Sequence, residues 1–242
     1  MDNIAKNYAQ QGIQKSQAAT HNIQTFHLSN GAVESLKWLA LLAMVVDHVN
    51  AVFFSRELGE LATVIGRLAM PLFSVVLGYN LARPGADLAR CLRRLLLFGA
   101  LALPAHAYLF AQVGGWWPLN IMLTFAVAVG TLLLLERRDG WGALLVFVGG
   151  GGLVEYWWPG VGLVLVSYGI ARGGLTPWRL FALAWIVPGL CFVSGSPWAL
   201  LAFPVIGLAS LVAVPLPRLR WAFWWFYPAH LAALVVGAVL IG

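Results

Sequence analysis

After Ser35 the chain is a succession of nine apolar stretches, 36–54, 61–82, 95–111, 119–135, 141–154, 160–171, 180–193, 198–214 and 221–241, separated by short polar or Pro/Gly connections. A bilayer offers the backbone no hydrogen-bond partner, so a crossing helix must satisfy its own groups and needs about 20 predominantly apolar residues to do so. The pattern predicts an all-α, polytopic helical bundle of about nine transmembrane helices. Composition excludes a soluble globule, because 61% of the 242 residues are apolar and only 10% charged, against roughly half and a quarter in soluble domains. So few charges cannot cover a water-facing surface. The stretches 141–154, 160–171 and 180–193 are short for a span. They either extend into flanking aromatics such as Trp157, Trp158 and Trp178 or are broken or re-entrant helices.

The net charge of +6 is distributed as a topology signal. Lys37, then Arg83, Arg90, Arg93 and Arg94, then Arg137 and Arg138, then Arg172 and Arg179, then Arg218 and Arg220 fall on alternate connections. The intervening connections carry almost no positive charge; Arg56 is opposed there by Glu57 and Glu60. Short cytoplasmic loops collect Lys and Arg, which places the N-terminus inside and Gly242 outside. No nucleic-acid partner is expected from charge used in this way. Residues 1–35 are rich in Gln, Asn, Ser and Thr without the apolar block of a signal peptide, and read as a mobile cytoplasmic tail with no catalytic role, leaving 36–242 as one membrane domain. Cys91 and Cys191 match no metal-ligand or redox spacing, so no metal is expected. Gly149 to Gly152 lack the Lys-Ser or Lys-Thr of a phosphate loop and predict close helix packing or local unwinding. The tryptophans mostly flank the spans, as an interfacial belt does.

Ionisable groups inside hydrocarbon are costly and mark function. Asp47 and His48 lie in the first stretch, Arg67 in the second, His106 in the third, Asn120 and Thr124 in the fourth, and His230 in the ninth beside Tyr227. At about 1.5 Å per residue, Asp47 falls roughly 10 Å below the outer end of its helix and Arg67 at a similar depth, so the two can pair. His106 and Thr124 fall in the same outer half, and His230 nearer the midplane. Structural explanations compete: the Asp47–Arg67 pair as a helix lock, His106 bonded to a backbone carbonyl, and Asn120 with Thr124 as helix-to-helix hydrogen bonds. Likewise Arg83, Arg90, Arg93 and Arg94 serve either as a positive-inside anchor or as a phosphate-binding rim.

The segments LKWLALLAMVVDHVN (36–50), GRLAMPLFSVVLGYNLAR (66–83), NIMLTFAVAVG (120–130), SYGIA (167–171) and FYPAHL (226–231) together resemble the TraX family, which includes the TrbP-type proteins of conjugative plasmids. The likeness runs from Leu36 nearly to the C-terminus, and its most specific parts are the intramembrane Asp-His followed by GR-x-x-x-PLF and the terminal FYP-x-H. It implies a multi-pass protein of the bacterial inner membrane that acetylates the N-terminal amine of conjugative pilin, with cytoplasmic acetyl-CoA as donor and lipid as surroundings. On that reading His48 is the leading base, with His230 as the alternative. Asp47 is its electrostatic partner or the anchor of the pilin ammonium, Arg67, Asn120 or Tyr227 stabilises the oxyanion, and Arg83, Arg90, Arg93 and Arg94 hold the CoA phosphates. A proton-coupled transporter and a non-enzymatic pilus-assembly protein remain as alternatives.

Overall fold

A computed structural model describes residues 28–110, 114–211 and 219–241. Most of the expected tail, Arg218 and Gly242 lie outside them. The described chain is helical in nine rods: α1 (Asn30–Phe53); α2 (Glu60–Arg67) running on into α3 (Ala69–Leu81); α4 (Leu88–Phe110); α5 (Ile121–Glu136); α6 (Gly140–Leu145) with a π-helical turn (Val146–Gly150); α7 (Trp157–Gly173); α8 (Pro177–Ser194); a 3-10 turn (Pro197–Leu201) leading into α9 (Ala202–Leu211); and α10 (Arg220–Ile241). Each of the nine apolar stretches is therefore one rod. Four of them, Asn30–Phe53, Glu60–Leu81, Pro177–Ser194 and Trp221–Ile241, are long and apolar enough to cross a membrane. The 16 residues of α5 extend about 24 Å against the roughly 30 Å of a hydrocarbon core, and the rods built on α6 and α9 are shorter still.

Local chemistry explains the boundaries. Ser29 caps α1 by accepting from the Ala32 amide at 3.1 Å, so the helix starts six residues before Leu36 and buries Ala32 and Val33. Leu28 exchanges two hydrogen bonds with the Tyr79 hydroxyl, at 3.1 and 2.8 Å, which ties this start to the end of α3. The second rod breaks at Leu68. Pro71 has no amide proton to give the Arg67 carbonyl four residues earlier, and Leu68 instead closes a tight turn onto Ile65 at 3.1 Å. The glycine run ends the rod of α6 in a π turn, and two tryptophans satisfy carbonyls freed there: Trp158 Nε1 donates to Val148 at 3.0 Å and Trp117 Nε1 to Gly152 at 3.1 Å. Beyond an interfacial belt, these aromatics hold the unwound segment.

The core forms where α3 packs on α1 and α7, and α4 on α5 and α10. Gly78 permits the α3–α7 approach, since a Cβ there would stand 2.7 Å from Ser167 Cβ and from the Val164 carbonyl oxygen. Helices α1 and α10 run side by side in the same direction. Lys37 lies over the Phe223 ring, His48 meets His230, and Phe53 packs on Gly237, in that order along both.

Candidate active site

A cavity of about 460 Å³ follows the inner face of α1. One end is bordered by Lys37, Arg83, Asp87 and Arg94, the other by Asp47, His48, Glu155, Tyr156 and Tyr227. Apolar side chains such as Met44, Phe73, Val76 and Phe125 line the middle. Helix rise alone separates Lys37 from His48 by about 16 Å, so the cavity joins two chemically distinct ends across a large part of a bilayer's thickness.

At the second end the two histidines named as rival bases form one unit. His48 Nδ1 lies 2.8 Å from His230 Nε2, and His230 Nδ1 lies 3.0 Å from the Phe226 carbonyl oxygen. A carbonyl only accepts, so His230 Nδ1 carries a proton. In the neutral ring Nε2 is then an acceptor and receives the proton on His48 Nδ1. That leaves the lone pair of His48 on Nε2, and His48, unlike His230, lines the cavity. The two rings lie within 3° of parallel. Pairing residues 182 positions apart brings His230 to the level of His48 rather than nearer the midplane.

Asp47 and Arg67 meet as the depth arithmetic anticipates, with Arg67 Nη1 3.8 Å from Asp47 Oδ1. A second guanidinium joins them: Arg56 Nη1 donates to the same oxygen at 3.3 Å. Arg56 belongs to the connection between α1 and α2, which is fastened back to α1 through Asn50, whose carbonyl accepts from the Arg56 amide and whose Oδ1 accepts from Leu58, both at 2.9 Å. Gly66 lets α2 approach Asp47, because a Cβ there would sit 2.6 Å from Asp47 Oδ1. The adjacent glycine and arginine are thus a contact point and its charge.

His106 is buried, with Nε2 3.8 Å from a carboxylate oxygen of Glu155. Glu155, a cavity-lining residue of the connection before α7, is held by its backbone. Its amide donates to Leu119 at 2.7 Å, and its carbonyl accepts from Thr124 Oγ1 at 2.7 Å. The Phe110 ring stands 5.1 Å from His48 and 5.6 Å from His106, centroid to centroid. Tyr227 lines the cavity with its phenol hydrogen-bonded to the backbone of Ile121 in the first turn of α5. Asn120 is not brought to the cavity. It is the N-cap of α5: Oδ1 accepts from Met122 and Leu123 at 3.1 and 3.3 Å while Nδ2 donates to the Gly99 carbonyl at 2.8 Å. An asparagine immediately before an apolar run is itself a helix-start signal. Among the described residues no group of three or more His, Cys, Asp or Glu side chains gathers to hold a metal.

At the first end the arginines divide. Arg83 and Arg94 border the cavity; Arg90 and Arg93 do not. Arg90 is exposed and pairs with Asp87 at 3.3 Å, and Arg93 is exposed. Arg83 donates to Asn30 at 2.7 Å, and the Arg94 guanidinium lies 4.8 Å from the Trp221 ring centroid. Lys37, read from sequence only as a loop charge, completes the rim. It is bridged to Glu34 at 2.8 Å, so the rim is basic but partly compensated.

The family model described as TraX protein matches residues 32–237. A protein TraX of Escherichia coli is 34% identical over 229 residues, covering 87% of this chain and 89% of the relative. A second, from Escherichia coli strain K12, is 30% identical with the same coverage. No solved structure matches significantly.

Proposed function

The chain belongs to the TraX family, and from that premise and the cavity geometry we propose that it is an inner-membrane acetyltransferase. It transfers an acetyl group from cytoplasmic acetyl-CoA to the N-terminal amine of a conjugative pilin. The observation that carries this reading is a single cavity leading from a basic rim to a histidine with an available lone pair.

In this reading Lys37, Arg83 and Arg94 face the phosphates of the donor, and its apolar-flanked arm lies along Met44, Phe73 and Val76. An extended pantetheine arm is of the same order of length as the about 16 Å separating rim from dyad. Thioester and amine meet at the outer end. The attacking amine loses a proton to His48 Nε2 as its nitrogen bonds the carbonyl carbon. His230 Nε2 accepts from His48 Nδ1 and steadies the imidazolium. Tyr227, at the positive end of the α5 dipole, supplies a donor to the developing oxyanion. Collapse breaks the carbon–sulfur bond, His48 returns the proton to the departing thiolate, and an amide and free CoA result. The parallel course of α1 and α10 puts their corresponding ends on the same side, which supports a cytoplasmic Asn30 end and a periplasmic Ile241 end.

Purified protein in lipid nanodiscs, given radiolabelled acetyl-CoA and unacetylated pilin, should label the pilin amine, and His48→Ala should lower the rate by about 10²- to 10⁴-fold. Wild-type protein that labels no amine overturns the reading.

A further inference from the structure

Asp47 and Glu155 are two carboxylates at the outer end of one cavity, yet their charges are matched very differently. Asp47 Oδ1 has Arg67 at 3.8 Å and Arg56 at 3.3 Å, two guanidiniums on one carboxylate. An incoming ammonium would meet a site already overcompensated by positive charge. Glu155 has the His106 ring at 3.8 Å and the Tyr156 and Tyr227 phenols near it, and no Lys or Arg lies within ion-pair distance of it among the described residues. Its side chain is 32% exposed, so it is reachable from the cavity. Its backbone is fixed on both sides, its amide donating to the Leu119 carbonyl and its carbonyl accepting from Thr124 Oγ1, so the carboxylate is aimed by the fold. A peptide α-amine, with a pKa of about 8, is mostly an ammonium at neutral pH, and a carboxylate without its own cation attracts it.

We propose that Glu155, rather than Asp47, is the anion that receives the acceptor's N-terminal ammonium. This rests on the acyl-transfer reading above and specifies its acceptor subsite. Asp47 then organises Arg56 and Arg67, while Glu155 selects a positively charged end group. An ion pair favours the protonated amine, so Glu155 alone would hold the nucleophile inactive. The ammonium first gives up its extra proton to water, and the neutral amine then loses a second proton to His48 as it attacks, so acceptor binding and acceptor activation are assigned to different residues.

The test uses the full chain in nanodiscs and a short apolar peptide with a free α-amine, compared with the same peptide lacking that amine. Wild-type protein should bind the amine peptide about tenfold or more tightly, the scale of a charge-assisted contact. Glu155→Gln should abolish that preference and raise the acceptor KM without changing the KM for acetyl-CoA. Glu155→Asp, which keeps the charge, should retain most of the preference, so that loss in the Gln variant is not mistaken for misfolding. If Glu155→Gln still prefers the amine peptide, the assignment to Glu155 fails and the acyl-transfer reading stands. If wild-type protein neither prefers nor acetylates the amine peptide, the reading fails and the subsite with it.

Discussion

His230 does not line the cavity, so its contribution runs through His48. Replacing it with leucine removes the acceptor of the 2.8 Å contact from His48 Nδ1 and leaves that N–H without a partner in a part-buried setting. An unsatisfied buried donor costs about 1–3 kcal/mol, and His48 can avoid the cost only by moving its proton to Nε2, the nitrogen the reaction needs unprotonated. Since about 1.4 kcal/mol is a factor of ten in rate, kcat should fall roughly ten- to a hundredfold. The KM for acetyl-CoA should stay close to wild type, because no donor-binding group has moved. His230→Gln, which can present an oxygen acceptor to His48, should retain more activity than the leucine variant. The assay is initial-rate acetyl transfer by reconstituted protein at saturating donor, with thermal denaturation showing that the variant is folded. A folded His230→Leu protein with wild-type kcat would refute the relay, and a change confined to KM would move His230 into substrate binding.

Replacing Lys37, Arg83 or Arg94 with Gln should raise the KM for acetyl-CoA and leave kcat largely intact, since phosphate contacts are made equally in ground and transition states; the effect should shrink as salt rises. Arg90→Gln and Arg93→Gln should leave the same KM unchanged. Asn120→Ala should lower thermal stability by the about 0.5–2 kcal/mol of a lost helix cap, with a smaller effect on kcat than any dyad variant, measured by denaturation and initial rates on one preparation. A single cysteine at Ile241, in a background lacking Cys91 and Cys191, should react with a membrane-impermeant reagent added from the periplasmic side; labelling only from the cytoplasmic side would invert the orientation.

Much of this was legible in the sequence because the constraint is strong. Each apolar stretch became a rod, and the Asp47–Arg67 pair followed from counting residues at a known rise. The errors have physical reasons. Polar positions inside α1 and α4, from Asn30 and from Leu88, were assigned to tail or loop because hydropathy marks burial in lipid, whereas Ser29 and Asp87 start those helices by capping: Ser29 accepts from Ala32 at 3.1 Å and Asp87 from the Arg90 amide at 2.8 Å. The joining of His48 to His230 depends on α1 lying parallel to α10, which no local pattern encodes. Arg56 and Glu155 stand in connections, where charge ordinarily means solvent. Both reach the cavity end because backbone bonds fold those connections inward, to Asn50 in one case and to Leu119 in the other.

On the acyl-transfer reading, donor and acceptor enter from opposite sides and meet at His48. This is tested most directly in sealed, oriented membrane vesicles, with labelled acetyl-CoA confined to the side of Lys37, Arg83 and Arg94 and an impermeant amine peptide confined to the other. Acetylated peptide is expected in that arrangement, with loss of the signal in His48→Ala and none when the two substrates exchange sides. Transfer that occurs only when both substrates share one side would contradict it.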